Sequence, residues 1–438
     1  MSSTLEAEQR RAELRRVGRI PAVRRMRVIA LTLLVVAGTV NYLDRSALSI
    51  GNGAIRQSLG LSDAEMGLLL SSFAVAYGVA QIPTGILVDR KGPRQLLGIG
   101  MLLWSVAQIA AGGVRGFGSF LLARAALGLG EAPMYLAGTK VCTNWFPARD
   151  RAFPIGLFNA SSALGPAIAP PLLTALLLAY GWRPMFVIIG LAGLLVAGLW
   201  VLLYRDPEQQ GVDEQARAAL HAEDSPADRA EAMAGWPSLL KQRTTWAMAV
   251  GFAGVIYLTW LYGTWLPDYL QRSRHLSVRQ AGIWTAVPQL CGFAGALLGG
   301  LASRLLSRRG MDAVASCKWP LMVAMLATGA CTAAAGYVQS TAIAVTLISV
   351  ALFAGSLASS CGWALAAVAT TPDKVATLEA IQNVGGSVGG ALAPAVTGAL
   401  VDWTGSFTPA LLLAAGLAGV TAVIYGVGVH SRPRAAIA

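Results

Sequence analysis

The segment Asn159-Ala-Ser-Ser-Ala-Leu-Gly165-Pro-Ala-Ile-Ala-Pro170 returns later in the chain as Asn383-Val-Gly-Gly-Ser-Val-Gly389-Gly-Ala-Leu-Ala-Pro394. Both copies lie in long apolar runs. Two further echoes keep the same order. Leu61-Ser62 followed by Gly67 matches Leu276-Ser277 followed by Gly282. Gly85-Ile-Leu87-Val-Asp89-Arg90 matches Gly299-Gly-Leu301-Ala-Ser303-Arg304, with the Asp replaced. Apolar segments repeated in this way imply two helical bundles with a cavity where they meet, near the bilayer midplane.

The composition fits that reading. Of 438 residues 55% are hydrophobic and only 13% charged, against about 25% charged in soluble domains. The apolar residues fall in blocks of about 20 or more, enough to cross a ~30 Å hydrocarbon core. A membrane β-barrel would instead alternate over ~10-residue segments. Twelve spans are predicted, at 27–50, 65–88, 95–114, 117–139, 152–178, 183–204, 244–270, 279–303, 314–336, 341–369, 376–400 and 407–429. The fold class is therefore an all-α polytopic membrane protein, twelve transmembrane helices in two pseudo-symmetric six-helix bundles. The expected domains are a basic cytoplasmic tail (1–26), an N-terminal bundle (27–204), a polar linker (205–243) with room for an amphipathic surface helix, a C-terminal bundle (244–429) and a cytoplasmic tail (430–438).

A net charge of +12 invites a nucleic-acid partner, but its distribution points elsewhere. Eight Arg fall in the first 27 residues, and the other cations cluster in short loops between apolar runs. That is the positive-inside pattern, and it puts both termini in the cytoplasm. Arg56, Arg115, Arg183, Arg272, Arg274 and Arg279 then lie outside, and Arg45 and Arg124 lie within the membrane. The tail carries Glu6, Glu8 and Glu13 and lacks the apolar region and cleavage site of a secretory signal. It reads as a cytoplasmic segment facing anionic lipid.

The five Cys form no CxxC pair and read as small buried residues. The three His fall in loops or tails, so no metal site is expected. No nucleophile–His–acid set lies in the spans, and no phosphate-cradling Gly loop carries a Lys. An enzyme and a bound cofactor are both disfavoured.

The spans of the first half carry charge. In Val40-Asn41-Tyr42-Leu43-Asp44-Arg45-Ser46 an Asp stands beside an Arg inside an apolar run, at roughly 2.5–3.5 kcal/mol per residue on insertion scales. Asp44 is roughly 25 Å along the first span at 1.5 Å per residue, in the outer half. Arg124 in the fourth span reaches a similar depth, and Glu131 lies two turns deeper on the same face. Arg stays charged, whereas a buried carboxyl can take up and release a proton. A structural ion pair that only locks helices together is the competing reading. The second half has Thr259-Trp260 in place of Asp44-Arg45, and its polar residues are neutral: Tyr257, Tyr262, Gln289, Ser359, Ser360, Gln382 and Asn383. This suggests that the first bundle handles protons and an anion while the second reads the rest of a substrate.

The loop Gly85-Ile-Leu-Val-Asp89-Arg90-Lys91-Gly92-Pro93-Arg94 resembles the cytoplasmic loop motif of the major facilitator superfamily. Asn41-Tyr42-Leu43-Asp44-Arg45, Arg124-Ala-Ala-Leu-Gly128-Leu-Gly130-Glu131-Ala-Pro133 and Asn383 resemble its anion:cation symporter family, whose bacterial members carry sugar acids such as galactonate and glucarate, or aromatic and dicarboxylic acids. The resemblance implies proton-coupled uptake of an organic anion by alternating access, with no cofactor and the proton gradient as driving force. Its partners would be a small organic acid, protons and the lipid bilayer, with the protein a monomer. It implies proton coupling through Asp44, Glu131 and Arg124. It implies substrate binding by Arg45, Tyr42, Tyr77, Asn159, Ser360, Trp363 and Asn383, and conformational control by Gly85, Asp89, Arg90, Gly92 and Arg94. Trp363 fits stacking on an aromatic ring and closing over a sugar acid equally well. Anion exchange, uniport and a transporter-like sensor are the alternatives. A drug/proton antiporter would want a fuller Gly-Pro-x-x-Gly-Gly than Gly165-Pro166-Ala-Ile-Ala-Pro170 offers.

Overall fold

A computed structural model describes residues 21–146, 154, 157–158, 161–210, 237–369 and 375–429. These residues are helical, with α1 Pro21–Ile50, α2 Asn52–Leu59, α3 Asp63–Lys91, α4 Pro93–Gly112, α5 Phe117–Glu131, α6 Pro133–Trp145, α7 Ser161–Tyr180 and α8 Trp182–Leu203 in the first half. The second half holds α9 Arg243–Arg272, α10 Val278–Arg308, α11 Ala313–Tyr337, α12 Thr341–Ala369, α13 Val375–Thr404 and α14 Thr408–Gly428. Among the described residues nine helices are long and apolar enough to cross a membrane, and a tenth span appears if α2 and the start of α3, bent by 119°, are joined. Each predicted span overlaps one of these helices or the pair α5–α6; the span predicted at 152–178 is described only at residues 154, 157 and 158 and in α7.

The departures have local causes. The fourth span is two helices because Pro133 has no N–H to continue the ladder. Ala132 keeps helical torsions (φ −53°, ψ −38°), so α6 continues the course of α5. The unpredicted α2 follows α1 directly and ends at Gly60, whose φ of 66° lets its N–H bond back to the Arg56 carbonyl. Of the linker, only a 3₁₀ turn at Pro207–Gln210 and a helical turn at Pro237–Leu240 are described. The amphipathic helix expected there lies outside the described residues, as do the C-terminal tail and residues 1–20 of the N-terminal one, whose last six residues already belong to α1.

The internal repeat has a physical content. Ser62 and Glu65 form a reciprocal capping box at the start of α3, with Glu65 N–H on Ser62 Oγ at 3.1 Å and Ser62 N–H on Glu65 Oε2 at 2.9 Å. Ser277 and Gln280 do the same for α10. Such a pair satisfies two donors that a helix start leaves open. The paired glycines also share a task. A Cβ on Gly165 would overlap Tyr42 of α1, and one on Gly389 would overlap the Ala253 carbonyl of α9. The matched positions Ser161 and Gly385 face Gly38 and Ala249. In both halves small residues let the helix after the linking loop press on the first helix of its half, the usual means of close approach in a membrane.

Cα packing divides the chain into two units. One comprises Met1–Arg45, Ala76–Gly165 and Trp182–Pro226, and the other Ser46–Val75, Pro166–Gly181 and Ala227–Ala438. The second unit thus takes the end of α1, the start of α3 and most of α7 from the first half.

Candidate functional site

The site is built on the parts of α1 and α3 that belong to the first unit and on the α5–α6 break. Two close approaches fix the carboxyl-terminal end of α5. A Cβ on Gly130 would come within 2.6 Å of the Trp104 nitrogen, and one on Gly100 within 2.6 Å of the Gly130 carbonyl. Glu131 is therefore seated against α4 at the point where Pro133 interrupts the helix. Gly165, closed on Tyr42, sets the rotation of α1.

These helices bring the charged residues of the first half together. Arg45 Nε donates to Glu131 Oε2 at 2.7 Å, with Glu131 fully buried and the Arg45 side chain 16% exposed. The Arg45 guanidinium lies 5.0 Å from the ring centres of both Tyr42 and Tyr77, the geometry of paired cation–π contacts. Arg124 is buried and within electrostatic reach of Glu131, Asp44 and Arg45. Asp44 is fully buried, and neither of its carboxylate oxygens has a hydrogen-bond partner among the described residues. Two acids and two guanidiniums thus share one buried cluster, where each charge is costly without its partners.

The sequence reading named all four of these charges. It assigned Arg45 to the substrate, whereas in this structure its partner is Glu131. It assigned Tyr42 and Tyr77 to the substrate as well, and both lie against Arg45. Sequence reasoning missed Tyr135, which shares the electrostatic surroundings of Tyr42, Arg45 and Tyr77 and packs on Phe158 at 5.2 Å. Its spacing of four from Glu131, one helical turn, was the available signal. Asn41, quoted in the span motif without a role, is fully buried beside this cluster. Asn159 lies outside the described residues.

Three expected substrate residues belong to the second unit. Ser360 packs on α10, where a Cβ at Gly299 would stand 2.9 Å from the Ser360 Cβ. Trp363 meets Phe252 edge-on at 5.1 Å and is 38% exposed. Asn383 is exposed, and its carbonyl accepts from Ser387 Oγ at 3.0 Å. None of the three hydrogen-bonds another among the described residues.

The loop motif lies at the α3–α4 turn. Gly92 has φ +82°, which favours glycine, and Arg94 donates to the Val201 carbonyl at 2.8 Å and to Gln209 at 2.9 Å. Arg90 is exposed. A Cβ at Gly85 would meet only Leu136 Cδ1, at 3.9 Å, among the described residues, so no close helix approach requires this glycine there. Nearby, burial raises the Asp206 carboxyl above its ordinary value, opposed by the Tyr204 hydroxyl that donates to it at 2.9 Å and by Arg94.

A helical membrane protein with an internal repeat and a buried cluster of opposite charges has the build of a secondary transporter. The chain belongs to the major facilitator superfamily, whose family model matches residues 34–316. It is 41% identical to the probable L-galactonate transporter of Escherichia coli (strain K12), over 93% of this chain and 90% of that protein. It is 34% identical to the hexuronate transporter of Bacillus subtilis (strain 168), over 89% and 91%. A probable galactarate/D-glucarate transporter of the same strain, GudP, is 31% identical over 87% of each. Among solved structures, a bacterial homologue of the human lysosomal transporter Spinster shares the fold with a TM-score of 0.79 at 20% identity, covering 92% of this chain and 97% of that one. The chain is thus an integral membrane protein of a transporter family, not an enzyme.

Proposed function

We propose that the protein carries a sugar acid or similar small carboxylate across the bacterial inner membrane, together with protons, by alternating access. The relatives named above are a hexuronate transporter and probable transporters of L-galactonate and of galactarate/D-glucarate, which supports this substrate class. The observation that carries the proton-coupled reading is the Arg45–Glu131 pair. Arg45 is the forked cation suited to a substrate carboxylate, and Glu131 occupies it. A proton on Glu131 removes the charge that holds Arg45 and releases the guanidinium for the substrate. A proton on Asp44 removes a buried charge for which no described residue supplies a hydrogen bond. Arg124, within reach of both carboxyls, couples their states.

In this reading Tyr42 and Tyr77 orient Arg45, while Ser360, Trp363 and Asn383, with Asn159, read the hydroxylated body of the substrate. The two bundles, 27–204 and 244–429, rock about the site with both termini in the cytoplasm, and the monomer works without a bound cofactor. The α3–α4 loop, through Gly85, Asp89, Arg90, Gly92 and Arg94, sets the balance between conformations.

The substrate class is tested by thermal unfolding of the purified protein with L-galactonate, glucuronate, galactarate and glucarate. A ligand that binds the native state raises the melting temperature by mass action. At least one of these acids should do so, and the matching neutral sugars should not. No shift with any acid would contradict the assignment.

A further inference from the structure

A second cluster of opposite charges lies apart from the site, in the second unit, where α1 ends. One oxygen of Asp63, the first residue of α3, faces two guanidiniums: Arg56 Nη1 of α2 forms an ion pair with it at 2.6 Å, and Arg272 Nη1 at the end of α9 donates to it at 2.7 Å. Asp268, one turn earlier in α9, lies 3.3 Å from Arg272 Nη1 and 4.0 Å from Arg56 Nη1. The carboxylates are buried and the arginines half-buried (20% and 35% side-chain exposure). Arg272 also lies over the Phe407 ring at 5.7 Å. Two acids and two bases balance, so the cluster holds no net charge to attract a ligand. What it joins is distinctive: α2 and α3 belong to the first sequence half and α9 to the second.

The same seam continues below the charges. A Cβ on Gly67 of α3 would lie 2.6 Å from the Pro394 carbonyl and 3.2 Å from Ala395 Cα of α13. Gly398 of α13 faces the Asp63 carbonyl just as closely. Ser49 Oγ of α1 donates to the Thr264 carbonyl of α9. Phe73 stacks on Trp260 at 6.2 Å. Gly282 of α10 is pressed on Thr174 of α7. Glycines placed against backbone leave no gap, so this end is closed by packing as well as by charge.

We propose that Arg56, Asp63, Asp268 and Arg272 form a charge latch that holds this end of the transporter closed, and that it must part whenever the end opens. The proposal goes beyond the transport reading and does not depend on its substrate. The latch acts on the segments that carry the site. α1 passes into the second unit immediately after Arg45, and α3 leaves it two residues before Tyr77. Parting the ion pairs exposes four charged groups to water, which repays their separation, whereas losing one member while the seam stays shut leaves a buried charge unpaired.

The test uses Ser71 of α3, buried behind the seam about two turns in from Asp63, as a reporter. Ser71→Cys is placed in a chain whose five native cysteines are replaced, and its labelling by a maleimide is timed in detergent-solubilised protein. Asp63→Asn and Arg272→Gln should each raise the labelling rate about tenfold, the factor that 1.4 kcal/mol produces. The double variant should be no faster than the faster single one, because both remove one interaction. Single variants that label at the parental rate, or a double variant whose rate is the product of the two effects, would overturn the latch. If the cysteine-free chain does not fold, hydrogen exchange over residues 63–75 in the native-cysteine protein reads the same opening, with the same two outcomes.

Discussion

Arg45 and Glu131 show how much hangs on the choice of a partner. The charges themselves are plain in the sequence, because an Asp, a Glu and two Arg in apolar runs have to be explained. The resemblance implies that Arg124 couples the two carboxylates, and depth along the helices permits it. The pairing of Arg45 with Glu131 turns on the rotation of α1, fixed by Gly165 against Tyr42, and on the seating of Glu131 beside α4, and neither can be read from spacing alone. Glu131→Gln keeps the size and removes the exchangeable proton, so gradient-driven accumulation should be lost while counterflow of labelled substrate survives. Arg45→Ala should weaken substrate binding about ten- to hundredfold, the range that 1.5–3 kcal/mol for a hydrogen bond to a charged group implies. Equilibrium binding by calorimetry measures it, and unchanged affinity would reject the carboxylate clamp.

Helices explain why the repeat was legible. Leu61-Ser62 and Leu276-Ser277 matched because each opens a helix with a capping box, and Gly165 and Gly389 matched because each closes a helix on a neighbour. Loss of either cap by Ser62→Ala or Ser277→Ala should cost about 1 kcal/mol, seen as a lower melting temperature. Gly165→Ala should cost more, about 1–3 kcal/mol of overpacking, and should also shift Tyr42 and so lower substrate affinity. If that variant melts like the parent, the α1–α7 approach does not position the site. The short α2 and the break at Ala132 were not foreseen. A Pro within an apolar run can kink, end or merely punctuate a helix, and the helical torsions of Ala132 are decided by the packing of Gly130 and Gly100 around it.

For the molecule as a whole, membrane class and family were within reach of composition, periodicity and the α3–α4 loop motif. The division into packing units was not. The sequence halves meet at the linker, yet residues 46–75 and 166–181 pack with the second half. That arrangement depends on tertiary contacts such as Gly67 on Pro394 and Asp63 on Arg272, which no local pattern encodes. The reading of the protein as a proton-coupled carrier can be tested directly by uptake of a radiolabelled sugar acid into proteoliposomes, with and without an inward proton gradient. The substrate is one that raises the melting temperature. Accumulation above the external concentration should require the gradient in the parent protein and be absent in Glu131→Gln. Accumulation of equal extent with and without the gradient would contradict proton coupling.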